Sequence, residues 1–196
     1  MPDADVALLV SAAEPRVRRA GRELFPAAPS IYLTREELRP QAPFSGALFE
    51  VLSGVPSGAC VGLVVPVRWS ADAGPGSVLR PSDVLLAVLD HLNLEQRGPL
   101  TGRWPAGLPR DFPQVAGIYQ PGVVRACGGP RVYSSGVVVA GVADAARLSP
   151  FEARAVAEQG VTAVSDTLVP AAVVAAYYGL TLAACGVPPA DDNDEQ

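Results

Sequence analysis

The sequence predicts an α/β fold, and two features of the chain support this class. The chain opens with a short apolar run at 5–10, and residues 13–24 then place apolar side chains at helical spacing. Its last third alternates strand and helix from 136 to 185, which is typical of a sheet covered by helices. With 196 residues, of which 49% are hydrophobic, the chain can build one core. We therefore expect a single domain over 1–187.

In the N-terminal half, the patterns predict three further strands, at 47–52, 59–67 and 84–89. The run at 59–67 is apolar on both faces, as expected of a central strand that is covered on both sides. Residues 34–37 can cap a short helix. The stretch from 93 to 130 shows little periodicity, and long irregular stretches of this kind are usually functional or lie at interfaces.

In the C-terminal half, residues 136–142 predict a buried strand and residues 149–159 a helix. Ser149 can cap this helix, Glu152 stands three residues later, and Gly160 can end it. A strand at 161–164, a helix at 170–178 and a strand at 180–185 follow. Strand–helix–strand units predict right-handed parallel crossovers.

The composition excludes several classes of function. All fifteen basic residues are arginine, so a Schiff-base or P-loop lysine is ruled out. The net charge of −5 argues against a nucleic-acid partner. Cys60, Cys127 and Cys185 are far apart and His91 is the only histidine, so no metal cluster is expected. We expect three buried thiols in a cytoplasmic protein.

Membrane insertion is not expected either. The N-terminus carries acidic rather than basic residues before its apolar run, unlike a signal peptide. Residues 167–190 carry no charge, but Pro170, Gly179 and Pro188 interrupt them. The segment 188–196 is acidic, and we expect it to be a disordered tail.

Familiar catalytic motifs are missing, among them the P-loop, the dinucleotide-binding glycine pattern and the G-x-S-x-G elbow. A Ser-His-Asp triad would need His91, whose sequence neighbour Asp90 is expected to point away from it. His91 is thus a candidate base or, alternatively, a hydrogen-bonded structural histidine at a strand end.

Two blocks of the chain carry a family resemblance. The segment 84–119 resembles the middle of the trimeric purine nucleoside phosphorylases, including their methylthioadenosine phosphorylase relatives. It has Asp-His-Leu-Asn-Leu at 90–94, Gly-Pro-Leu at 98–100, Asp-Phe-Pro at 111–113 and a tyrosine at 119. A later block resembles the family at Glu152, Arg154, Gly160, Val169-Pro170 and Gly179-Leu180. The resemblance implies a mixed, largely parallel central sheet flanked by helices. It also implies phosphate as co-substrate without a cofactor or metal, and trimers formed through 93–119.

The family's active-site positions are altered here. Ser-Ala-Ala-Glu at 11–14 replaces its glycine-rich phosphate loop. Leu148 falls near the position of its purine-binding glutamate, and Asp166 and Thr167 fall where a Met-Ser pair lines the purine and ribose. Arg68 and Ser70 lie near its Asn-Ala-Ala-Gly-Gly turn. The family's asparagine that supports N7 would fall near Ala190, at about the strand where the chain stops, and we expect the family's terminal helix to be absent.

Each of these candidates has a structural alternative. Asp166 and Thr167 can bind a purine or ribose, or cap the helix that follows. Arg68 with Ser70 can bind phosphate, although a loop arginine is more often solvated or paired with an acid such as Asp72. Leu148 is a weak candidate for the purine wall, because an aliphatic side chain cannot hold the purine N1–H.

The resulting hypothesis is a shortened, degenerate homologue of the phosphorylases. It retains at most purine or nucleoside binding, or a scaffold role, because the purine acid, the N7 partner and the phosphate loop are lost together. One alternative is an active pentosyltransferase in which Asp166 and Arg68 replace the lost groups. The other is an interaction module without a ligand. We also expect self-association, with a trimer favoured.

Overall fold

The structure is a computed structural model that describes residues 4–10, 14–38, 46–70, 84–95, 100, 113–133 and 135–189. Its strands are β1 (Val6–Val10), β2 (Ser30–Leu33), β3 (Cys60–Pro66), β4 (Arg68–Trp69), β5 (Leu86–Asn93), β6 (Val137–Gly141), β7 (Ala163–Ser165) and β8 (Thr181–Val187). Its helices are α1 (Pro15–Leu24), α2 (Arg35–Leu38), α3 (Gly46–Ser53), α4 (Pro121–Gly128), α5 (Pro150–Glu158) and α6 (Leu168–Tyr177), and a 3₁₀ turn covers Gly129–Arg131. Of the predicted tail at 188–196, residues 190–196 lie outside the described residues.

The strands within the described residues form one sheet in the order β2-β1-β3-β8-β5-β6-β7-β4. The first four strands in this order, β2, β1, β3 and β8, pair in parallel with their neighbours. The strands β5, β6 and β7 form a second parallel group. The two groups meet at the antiparallel β5–β8 pair, and β4 is antiparallel to β7. The predicted mixed, largely parallel sheet flanked by helices is confirmed.

The sheet is curled. Only Val67 separates β3 from β4, yet β4 pairs with β7 near the far end of the strand order. In β5 the register shifts between Val88 and Asp90, and such bulges bend and twist a strand. The strands β3 to β7 therefore curve back toward the extension of β3.

Of the two crossovers predicted for the last third of the chain, one is parallel. The β6–α5–β7 unit joins parallel neighbours, as expected. The prediction is wrong for β7–α6–β8, because β8 lies between β3 and β5 and is antiparallel to the group containing β7. The apolar side chains of β8 are buried from Leu182 onward, which fits this central position.

The core consists of separate apolar clusters around the sheet. One contains buried residues of α3 and α6 with Leu63, Leu86 and Leu182 of the sheet. A second joins α1 and α4 to other sheet residues, and a smaller third one includes Val156 of α5. Helices therefore cover the sheet on more than one side, as the α/β class requires.

The predicted strand at 47–52 is wrong, because α3 occupies this segment. Leu48, Phe49 and Leu52 are buried, and their spacing of one and four residues places them on one helical face. A short apolar run does not by itself distinguish strand from helix. The irregular stretch also conceals α4, whose Pro121 at the first turn and Gly129 after the last are helix-boundary signals.

The helix signature at 149–159 is confirmed in detail, since α5 starts with a complete capping box. Ser149 Oγ accepts a hydrogen bond from the Glu152 backbone N–H at 3.3 Å, and the Ser149 N–H donates to the Glu152 carboxylate at 2.8 Å. The Ser149 N–H and the Ser149 hydroxyl, which lies 2.7 Å from the Glu152 carboxylate, both donate to it and hold the pKa of Glu152 below its usual value.

We predict that Ser149→Ala lowers the free energy of unfolding by about 1 kcal/mol, as is typical when an N-cap is lost. Urea denaturation measures the change. Ser53→Ala is the control, because that hydroxyl donates to a carbonyl of its own helix rather than capping one. Equal, negligible effects of the two substitutions would contradict a stabilising role for the cap.

Cys60, Cys127 and Cys185 are free thiols, as expected, although only Cys185 is fully buried. Burial raises its pKa to about 12 and raises the pKa of Cys60 as well, so neither is a ready thiolate at neutral pH. Within the described ranges, no helix is long and apolar enough to cross a membrane.

Candidate functional site

The carboxyl ends of β5, β6 and β7 lie side by side. Asn93 pairs with Gly141, and Gly141 pairs with Ser165, so one residue of each strand lies in a single row. The next residues continue the contact, since the Leu94 N–H donates to the Gly141 carbonyl and the Val142 N–H to the Ser165 carbonyl, both at 3.0 Å. We call residues 93–95, 141–142 and 165–167 the β5–β7 edge.

The polar turn that leaves β7 is buried. Ser165, Asp166 and Thr167 are 1%, 2% and 0% exposed. Ser165 Oγ accepts hydrogen bonds from the backbone N–H groups of Thr167 and Leu168 at 3.3 Å, and it donates to the Pro66 carbonyl at 3.2 Å. Ser165 thus satisfies the first turn of α6, the capping role that the sequence offered to Asp166 and Thr167.

Glu95 ends the β5 side of the edge. Its backbone N–H donates to Asn93 Oδ1 at 3.1 Å. Both carboxyl oxygens are shielded from solvent and have no hydrogen-bond partner among the residues that the structure describes. Burial, and secondarily the negative charge of Asp166, raises the pKa of Glu95 to about 7. The two carboxyl groups therefore lie close enough to interact electrostatically.

This arrangement suits a ligand with N–H or O–H groups. The carboxyl oxygens of Asp166 can accept hydrogen bonds, and the Glu95 carboxyl, with a pKa of about 7, can accept when ionised and donate when protonated. The described residues include no group of three or more potential metal ligands.

A second polar contact joins β5 to the segment before α4. His91 Nδ1 and the Tyr119 hydroxyl are 2.7 Å apart, and the rings meet edge to face. Burial lowers the pKa of His91, while burial and the charge of Asp90 raise the pKa of Tyr119 far above its usual value. A neutral imidazole and a neutral phenol thus share this hydrogen bond. It is the kind of contact that the structural interpretation of His91 predicts.

We predict that Tyr119→Phe lowers the free energy of unfolding by about 1 kcal/mol, because one hydrogen bond is lost and half-buried His91 keeps an unpaired nitrogen. Tyr32→Phe, at an exposed tyrosine of β2, is the matched control and is expected to have little effect. Urea denaturation of both variants tests this. Equal changes in the two variants would contradict it.

The phosphate candidates Arg68 and Ser70 lie on β4 and directly after it. The Ser70 hydroxyl donates to the Val161 carbonyl at 2.6 Å, and its backbone N–H donates to the Thr162 carbonyl. Ser70 is therefore beside the start of β7, whereas Asp166 follows its end. Four strand residues at about 3.3 Å each place these backbones about 13 Å apart. Arg68 is exposed and pairs through its backbone with Val164.

The three candidates for purine and ribose binding lie in two different places. Asp166 and Thr167 lie together on the β5–β7 edge. Leu148 is half-buried and packs against the apolar cluster around α5. The phosphate-loop positions 11–13 and the position Asp72 lie outside the described residues.

Sequence reasoning missed Glu95. Its one signal is an acidic residue directly after an apolar strand, at the edge where the carboxyl ends of parallel strands meet. That position becomes informative only when β5 is known to neighbour β6 and β7 in register.

Comparison with known proteins gives a structural match only. No protein-family model and no curated protein matches the sequence. Three solved structures of purine nucleoside phosphorylase are similar to this chain, two from Schistosoma mansoni and one from Schistosoma. The one with a novel monocyclic inhibitor has a TM-score of 0.65 at 12% identity, over 97% of this chain and 84% of the other. The structure with hypoxanthine has a TM-score of 0.65 at 12% identity, over 93% of this chain and 76% of the other. The structure with BCX-34 has a TM-score of 0.57 at 15% identity, over 76% of this chain and 56% of the other.

These matches concern the fold. Identities of 12–15% are too low to carry function from the schistosome enzyme to this chain. In the match to the BCX-34 complex, this chain spans just over half of the other protein's length. The strand order, the curled mixed sheet and the matches agree with the fold that the sequence resemblance implied. The chain therefore has a purine nucleoside phosphorylase-like fold.

Proposed function

We propose that this protein binds a purine base or nucleoside at the β5–β7 edge and has lost ordinary phosphorolysis. The observation that carries the proposal is the pair of carboxyl groups, Asp166 and Glu95, on adjoining strand ends. The shielded oxygens of Glu95 lack donors, and a purine with N–H groups supplies them. Structural neighbours contain hypoxanthine and guanosine, which have such groups.

The proposed loss of catalysis depends on phosphate. Phosphorolysis needs an anion held against the sugar on the face opposite the departing base. The Ser70 hydroxyl already donates to a carbonyl, and Arg68 is exposed on β4. In addition, Glu14 follows β1 where the family has its phosphate loop, and a carboxylate repels phosphate. These features favour binding over turnover.

Calorimetry with guanosine, inosine and hypoxanthine tests the binding. We expect saturable binding, and we expect Asp166→Asn to weaken it about 10- to 100-fold, the equivalent of one hydrogen bond to a charged group. Glu158→Gln on α5 is the matched control and should bind as the unmodified chain does. The absence of any binding would contradict the proposal and favour the interaction module.

A separate assay tests the loss of catalysis. The protein is incubated with inosine or guanosine and phosphate, and free base is measured. We expect no release at ordinary enzyme rates. Release at such rates would favour the alternative of an active phosphorylase with replacement residues.

We further propose that the protein self-associates as a trimer through the second half of β5. Leu89 and Leu92 of β5 and Leu94 just after it are 40%, 36% and 43% exposed, which concentrates large apolar side chains on one segment. Light scattering at micromolar concentration tests this. We expect a trimer, and Leu92→Asp should shift it toward monomer while Phe151→Asp, at an exposed apolar site on α5, should not. A monomeric unmodified chain would contradict the proposal.

A further inference from the structure

The polar side chains in the second half of β5 make short-range contacts that lead toward Glu95. Asp90 Oδ1 accepts a hydrogen bond from the His91 backbone N–H at 2.8 Å. His91 Nδ1 lies 2.7 Å from the Tyr119 hydroxyl. Asn93 Oδ1 accepts a hydrogen bond from the Glu95 backbone N–H at 3.1 Å. These contacts come from the Asp-His-Leu-Asn-Leu motif at 90–94, which the proposed ligand contacts do not use.

The second half of β5 is paired with a strand on one side only, within the described chain. The first two residues of β5 pair with β8, whereas the pairing with β6 continues to Asn93. The register shift between Val88 and Asp90 lies just beyond the pairing with β8, and a bulge of this kind bends the strand. Pairing with β8 therefore does not hold the end of β5, which Glu95 follows.

The segment just before α4 lies beside β8 where β5 has left it. Tyr119 and Leu182 form a parallel bridge, and β3 occupies the other edge of β8. The Leu182 N–H donates to the Ile118 carbonyl at 2.8 Å, and the Gln120 N–H donates to the Leu182 carbonyl at 2.7 Å. Tyr119 is only 7% exposed, so its ring is packed in the core. The His91–Tyr119 hydrogen bond therefore joins the second half of β5 to a fixed part of the sheet.

Glu95 lies in a position that the rest of the fold has to enforce. Shielding a carboxyl group from water costs free energy when no described residue bonds it. A loosely held chain end would therefore release this side chain into solvent. Asn93 opposes the release, because its Oδ1 accepts the N–H two residues later and closes an Asx turn directly after β5. The turn fixes the Glu95 backbone, and the His91–Tyr119 contact fixes the strand from which the turn starts.

We propose that His91 and Asn93 are positioning residues of the β5–β7 edge, which hold the Glu95 carboxyl beside Asp166. His91 acts through Tyr119, and Asn93 acts through the Glu95 backbone, so neither has to touch the ligand. A binding group has to be held to within about 0.5 Å, and the groups behind it supply that rigidity. The ligand in this inference rests on the proposed purine site, but the placement of Glu95 is measurable without a ligand.

Titration of the Glu95 carboxyl group by ¹³C NMR tests the placement. The Glu95 signal is identified as the one that Glu95→Gln removes, and its pKa is expected at about 7 in the unmodified chain. The pKa should fall below about 6 in Asn93→Ala and in Tyr119→Phe, because a released carboxyl group gains water. Ser149→Ala is the control, since it removes a cap on α5 and should leave the Glu95 pKa at about 7. A Glu95 pKa that is unchanged in either variant would overturn the proposal, as would a value near 4.5 in the unmodified chain.

Calorimetry with guanosine on the same variants connects the placement of Glu95 to binding. We expect Asn93→Ala and Tyr119→Phe to raise the Kd about 5- to 10-fold, and we expect Ser149→Ala to leave it unchanged. An unchanged Kd in variants whose Glu95 pKa has fallen would also overturn the positioning role. If the unmodified chain binds no purine, the proposed function fails, while the titration still decides whether His91 and Asn93 hold Glu95 in place.

Discussion

Replacing Glu95 by glutamine is expected to stabilise the protein by about 1–2 kcal/mol at about pH 8 and to change little at about pH 4. The pKa of Glu95 rises from 4.5 to about 7 in the folded protein. This shift corresponds to about 3 kcal/mol for a fully buried group, and the half-buried side chain of Glu95 reduces that figure.

The sign follows from the protons bound. Between pH 4.5 and about 7, the unfolded chain releases the Glu95 proton while the folded protein keeps it. Because the unfolded state binds fewer protons there, stability falls as the pH rises through this window. Glutamine has no proton to lose, so the variant lacks this contribution.

Urea denaturation of the unmodified chain and Glu95→Gln across this range measures the effect. The lowered pKa of His91 contributes in the opposite direction, since it removes stability as the pH falls, but that contribution is common to both proteins. Glu50→Gln, at an exposed position of α3, is the control. Parallel pH profiles for Glu95→Gln and the unmodified chain would show that burial and Asp166 do not raise this pKa.

Replacing Gly141 by alanine is expected to lower the free energy of unfolding by about 1–3 kcal/mol, as overpacking typically does. An added Cβ would lie 2.4 Å from Val169 Cγ2 and 3.0 Å from Val169 Cβ. Val169 is fully buried near the start of α6 and has a stiff, branched side chain, so the helix itself must move. Because Asp166 and Thr167 lead into α6, the same substitution should disturb the β5–β7 edge.

A double-mutant cycle isolates that contact. Val169→Ala should reduce the cost of Gly141→Ala, because it removes the methyl groups that clash. Gly122→Ala in α4 is the matched control, since an added Cβ meets nothing within 4 Å there. An equal cost of Gly141→Ala with valine or alanine at position 169 would contradict the packing argument.

Local sequence signals predicted much of the fold. The apolar runs gave β1, β3, β6 and β8, and the Ser149–Glu152 pair gave the start of α5, because these patterns depend on nearby residues. The segment 47–52 was assigned to the wrong element, since a run of six residues with five apolar ones fits either a strand or a short helix. The crossover to β8 was also wrong, because strand order depends on contacts distant in sequence.

The candidate site was predicted only in part. Asp166 was selected from its place in the chain, and it lies buried where strand ends meet. Glu95 was not selected, because nothing near it in sequence shows that Asp166 is close enough to raise its pKa. Ser70 was selected as a phosphate candidate, and nothing near it in sequence shows that its hydroxyl donates to the Val161 carbonyl, ninety-one residues away.

The sequence by itself determined the α/β class, most of the elements and the absence of lysine chemistry, because periodicity, capping and composition are local or global properties of the chain. Only the tertiary structure decided which polar residues meet at the β5–β7 edge. The physical reason is that the pKa of a carboxyl group and the partners of a hydroxyl depend on distance and burial. Both are fixed when the curled sheet brings β5, β6 and β7 into register.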